Sequence, residues 1–99
     1  MQIPKSFNLF GQVITVEYRK SMFKTHKACG LWIATENKIL LQESTKYYPT
    51  TQLQIEQTFI HEAIHACLEL LGYTDLNADE KLVDNLAALL HQMLSTQKY

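Results

Sequence analysis

The run TQLQIEQTFIHEAIHACLELL, residues 51–71, decides how the rest of the chain is read. Thr51 followed by Gln54 forms a capping box, in which side chain and backbone at a helix start satisfy each other's free groups. No proline or glycine interrupts the run until Gly72, which is placed to close a helix in the left-handed conformation. On a helical wheel Leu53, Ile60, Ile64, Cys67 and Leu71 share one broad flank, while Ile55, Phe59, Ala66 and Leu70 cover much of the other. A helix apolar on most of its circumference belongs inside a domain, with layers on both flanks. On this reading Cys67 is a small buried hydrophobe.

Working outward, the amino-terminal half has the two-residue period of strands. In 13–18, Val13, Thr15 and Glu17 fall on one face and Ile14, Val16 and Tyr18 on the other. Residues 29–34 and 39–42 are two apolar runs around a short polar connection, predicting a hairpin with Asn37 as a turn residue. Gly30, at the start of the first run, marks a bulge or a close backbone approach. On the carboxyl side, Asn77 with Glu80 offers a second capping box, and Leu82, Val83, Leu86, Leu89, Leu90 and Met93 form the packing stripe of a last helix. The prediction is an α+β domain spanning the chain: an antiparallel or mixed sheet of about three strands packed against the 51–71 helix and a carboxyl-terminal helix.

With 99 residues, 46% of them hydrophobic and 19% charged, the composition is that of one ordinary globular domain. No apolar segment is long enough for a membrane span or has the pattern of a signal peptide. Cys29 and Cys67 form no CxxC pair, so two free thiols in the cytoplasm are expected. Up to Thr50 there are seven basic residues against three acidic, and after it two against seven. Arg19, Lys20, Lys24 and Lys27 make a loose basic run, read as solvated surface because no nucleic-acid motif accompanies it.

Within the helix, His61-Glu62-Ala63-Ile64-His65 is an HExxH pattern. Side chains four apart stand one above the other, so both imidazoles can reach one zinc ion, with Glu62 beside it as the catalytic base for a bound water. A catalytic zinc takes a third protein ligand. Glu69 shares the histidine face but lies about 12 Å along the axis from His61, too far to share the ion. Glu80, Asp84 and His91 line one side of the last helix, with Ala87 allowing that side to approach another helix closely.

With Glu80-Lys81-Leu82-Val83-Asp84 following the HExxH helix, the sequence resembles the zincin metallopeptidases whose third ligand is a glutamate on the next helix, the thermolysin-like HExxH and ExxxD pair. Among these it is similar to small phage and bacterial proteins of the ImmA/IrrE kind. The resemblance implies His61, His65 and Glu80 as zinc ligands, Glu62 as base and Asp84 as the partner of a ligand histidine. It implies peptide-bond hydrolysis, with a peptide or a protein, such as a regulatory protein, as substrate. The candidates to donate to the developing oxyanion are His91, Tyr73, Tyr47, Tyr48 and His26, among which the sequence does not choose. The 39–42 strand is a candidate edge for a substrate strand to join. The alternatives are a non-catalytic zinc-stabilised interaction module of a mobile element and a zinc hydrolase of a non-peptide substrate.

Overall fold

The computed structural model describes all residues 1–99. Strand β1 (Ser6–Leu9) turns at Phe10 and Gly11, both with positive φ (48° and 76°), into β2 (Gln12–Arg19). Two positive-φ residues make the tight turn whose twist matches that of the strands it joins. A short helix α1 (Met22–His26) follows, then β3 (Gly30–Ile33), a single 3₁₀ turn at Ala34–Glu36, and β4 (Lys38–Gln42). The β3–β4 hairpin falls where the apolar runs place it, and Asn37 ends its turn at φ 50°.

The strand order is β1-β2-β4-β3, with β2 and β4 parallel and both outer pairs antiparallel. The sheet is therefore mixed and has four strands. Strand β1 is the additional one; it is only four residues long and half-exposed, so it carries little periodicity of its own. The segment after β2, whose basic run reads as solvated surface, is helical around the fully buried Met22. Gln42, 2% exposed, holds it: its Oε1 accepts from Phe23 N at 2.7 Å, and its Nε2 donates to Lys20 O at 2.7 Å and Glu43 O at 2.8 Å. A buried amide with all these bonds made is stabilising rather than costly.

Helix α2 (Gln52–Leu71) begins at Thr51 with both capping-box bonds formed and ends at Gly72 with φ 80°. It is the middle layer, packed on β3 and β4 on one side and on α4 (Glu80–Thr96) on the other. Ile14, Val16, Ile39 and Leu41 from the sheet, Phe59, Ile60 and Ile64 from α2, and Val83 and Ala87 from α4 make one core. Ala87, 3% exposed, admits the close approach of the two helices. The apolar flanks of α2 are narrower than the wheel suggests. Leu53 and Leu71 are more than half exposed, and Cys67 is exposed too, because the sheet and α4 cover the middle of the helix and leave its ends and back bare.

Between the long helices lies one turn of helix, α3 (Thr74–Asn77). The cap of α4 is Asp79, whose Oδ1 accepts from Leu82 N at 3.1 Å, and not Asn77. Both residues are good caps by type. The shift by two positions makes Glu80 the first helical residue, which frees its carboxylate from capping. No helix is long and apolar enough to cross a membrane.

Candidate metal centre

His61 and His65 stand one turn apart on the face of α2 that meets the start of α4. Their Nε2 atoms are 3.1 Å apart. Glu80 reaches back from the first position of α4, with Oε2 3.2 Å from His61 Nε2 and Oε1 3.1 Å from His65 Nε2. The three side chains are the one group of His, Cys, Asp and Glu whose ligand atoms converge, all within 4.8 Å of one another.

The outer ring nitrogens fix which atoms face inward. His61 Nδ1 lies 2.7 Å from Asp84 Oδ1, and His65 Nδ1 lies 2.6 Å from Asn77 Oδ1. Each Nδ1–H donates to an oxygen, so each neutral ring turns a bare Nε2 lone pair toward Glu80. Two imidazole lone pairs and a carboxylate can then face one point, an arrangement suited to a cation. Ligands about 2.05 Å from a tetrahedral zinc are separated by about 3.3 Å; the two Nε2 atoms are 3.1 Å apart, and each has its own Glu80 oxygen at 3.1–3.2 Å. Two imidazoles and a carboxylate are a donor set that zinc accepts, and the group could hold a metal ion.

Glu62 lies on the inner side of the cluster. It is 8% exposed, and its Oε2 is 3.9 Å from His61 Nε2. Burial pushes its carboxyl above the ordinary carboxylate range, while the neighbouring His61 and His65 pull it back down. Gly30 of β3 makes room for it. A Cβ at position 30 would sit 2.5 Å from Thr58 Cγ2 and 3.1 Å from Glu62 Cγ, so the strand touches the helix here through bare backbone. A cleft of about 660 Å³ opens beside His61 and Glu62, between β3 and the Asp84–Ala88 side of α4. Apart from His61, Glu62 and Asp84, the side chains around it are uncharged, among them Gln54, Gln57, Thr58, Ala87 and Ala88.

Two expected participants, His91 and Tyr73, lie elsewhere, and Glu69 stays out of the site as its distance requires. His91, 7% exposed, is two turns beyond Asp84, where its Nε2 is 2.8 Å from Glu56 Oε1 and 3.2 Å from Ser95 Oγ. Tyr73 borders a separate shallow depression with residues 72–76 and forms no hydrogen bond with either histidine. Glu69 accepts the indole N–H of Trp32, tying α2 to β3. The 39–42 strand is not an edge either: β4 is paired on both sides, and the edge beside the cleft is β3. Conversely, Asn77 holds a ligand ring although its type and position suggest a cap. Nothing in the residue pattern marks this use, because asparagine before a helix is commonly a cap.

Comparison with known proteins finds no family model, curated protein or solved structure that matches the chain. What the fold and the site define is an α+β domain with a candidate metal centre of two histidines and a glutamate, shared between two packed helices.

Proposed function

We propose that the protein is a small zinc-dependent peptidase. The observation that carries this reading is the convergence of His61 Nε2, His65 Nε2 and the Glu80 carboxylate, all within 4.8 Å of one another, with the buried Glu62 beside them at the mouth of a cleft. A zinc ion bound there would polarise a scissile carbonyl and acidify a water molecule.

The chain's own residues do the rest. Glu62, raised by burial and placed next to the cluster, takes a proton from water and returns it to the departing amine. Asp84 and Asn77 keep both imidazoles in the Nε2-ligating tautomer. The outer edge of β3 has no strand partner, so an extended peptide can add to it and lie along the cleft. The uncharged cleft walls favour neutral side chains next to the scissile bond.

The test is metal content together with peptide-library cleavage, for wild type and Glu62→Gln. Wild type should hold about one zinc and cleave. Glu62→Gln should hold the same zinc and lose at least about a hundredfold in rate, because only the base is removed. Equal rates in the two proteins would remove Glu62 from the chemistry. Tight zinc with no cleavage across the library would replace hydrolysis by a zinc-stabilised binding module.

A further inference from the structure

Helix α4 uses only part of its circumference. Val83, Ala87 and His91 are buried against the protein, and Asp84 lines the cleft. A third side carries Leu82, Leu86, Leu89 and Met93, spaced by four, three and four residues. Leu89 is 65% exposed, Met93 52% and Leu82 36%, and Leu86, which also packs against the core, is partly exposed. A continuous apolar stripe along a surface helix marks an interaction site.

The spacing is that of the alternating core positions of a coiled coil, with Leu82 and Leu89 equivalent to each other and Leu86 and Met93 equivalent to each other. We infer that this stripe pairs with the same stripe of a second copy of the chain, with the two α4 helices antiparallel. Three observations choose a second copy over a different partner. First, the stripe is its own complement in that orientation: Leu82 meets Met93 of the second copy and Leu86 meets its Leu89, and one two-fold axis between residues 87 and 88 generates every layer. Second, the residues flanking the stripe on its outer side are Asn85, Gln92 and Thr96, so a like surface meets no like charge and no charge selects a foreign partner. Third, that register overlaps almost the whole of α4, Glu80–Thr96. A helix about 25 Å long and about 10 Å across offers on the order of 500 Å² per copy on one side, the lower bound for a specific pair. The α2 and α4 helices of both copies would then form a four-helix layer, with the clefts facing away from the two-fold axis.

The test is sedimentation of the zinc-loaded, reduced protein from about 5 to about 200 µM, because self-association follows mass action. Wild type should shift from monomer toward dimer with concentration. Leu89→Lys and Leu86→Glu should each stay monomeric with unchanged helix content. An equimolar mixture of the two should regain dimer, since the antiparallel register sets the carboxylate introduced at position 86 of one copy against the ammonium introduced at position 89 of the other. Wild type that stays monomeric throughout overturns the inference and leaves the stripe to another partner. A dimer that survives Leu89→Lys overturns it by placing the interface elsewhere. A mixture that fails to recover overturns the antiparallel register.

Discussion

At the scale of single residues, the candidate centre depends on groups outside its three converging side chains. Asp84 and Asn77 each take one Nδ1–H, and this selects the tautomer that leaves the Nε2 lone pair free. Both oxygens come from the far side of the helix reversal, so the fold itself sets the rings. Asp84→Asn and Asn77→Ala should each weaken zinc binding by about 10- to 100-fold, with the cobalt spectrum keeping its tetrahedral form. Glu80→Ala should lower affinity further and change the spectrum, because a ligand is lost. Affinity and spectrum unchanged in Glu80→Ala would remove Glu80 from the site. The HExxH residues could be read from helix periodicity, whereas Glu80 and Asp84 came from the resemblance, since periodicity puts them on one side of the last helix together with His91 and does not choose among the three. Asn77 could not be read, since asparagine at a helix start has a commoner use as a cap, and only the actual cap at Asp79 releases it.

Among the elements, the contact that positions Glu62 is between β3 and α2, and Gly30 is its narrowest point. Thr58 Cγ2 would be 2.5 Å from a Cβ at position 30. The Thr58 side chain is not free to turn away, because its hydroxyl donates to Gln54 O at 2.8 Å. Gly30→Ala should therefore push β3 from the helix and cost about 1–3 kcal/mol of stability. It should also lower turnover by displacing Glu62 and the strand edge together. Thr58→Ala removes the closest atom, so the double variant should recover most of the stability lost by Gly30→Ala; a purely additive double variant would show that this contact is not the source of the cost. A bulge or a close approach at Gly30 was legible because glycine opening a strand has few other uses, and the structure shows the close approach. The order of the strands was not. Pairing β2 with β4 in parallel is a non-local choice, made by two apolar strands that both need covering, and it moved the free edge from β4 to β3. The exposed leucines of α4 misled for a similar reason: an apolar stripe says that a face is to be covered, not by what.

At the scale of the whole molecule, α2 and α4 are fastened by polar contacts at two separated places, with Val83 and Ala87 packed between them. One is the candidate metal centre at the start of α4. The other is Glu56 with His91, both under 8% exposed and joined at 2.8 Å, with the Met1 amino group 3.2 Å from the same Glu56 oxygen. Chelation releases the first and acid releases the second, so the two can be separated by experiment. Zinc binds the folded ligand set and binds the unfolded chain poorly, so stripping it should lower the melting temperature by several degrees. In the stripped protein the pH dependence of Glu56 can be read without competition between protons and metal. The bond from His91 holds the Glu56 carboxyl below its ordinary value of 4.5, with the amino group adding to the effect. A folded-state pKa below the unfolded one means that the stabilisation is complete above pH 4.5 and is lost as pH falls through the lowered folded value. Glu56→Gln should therefore be less stable than wild type at neutral pH, and the gap should narrow as pH drops below 4.5. Thermal melts of both metal-free proteins from neutral pH to about pH 3 make the comparison. Two melting curves that fall in parallel across that range would show that Glu56 carries no linked proton, and that apolar packing alone joins this end of α2 to α4.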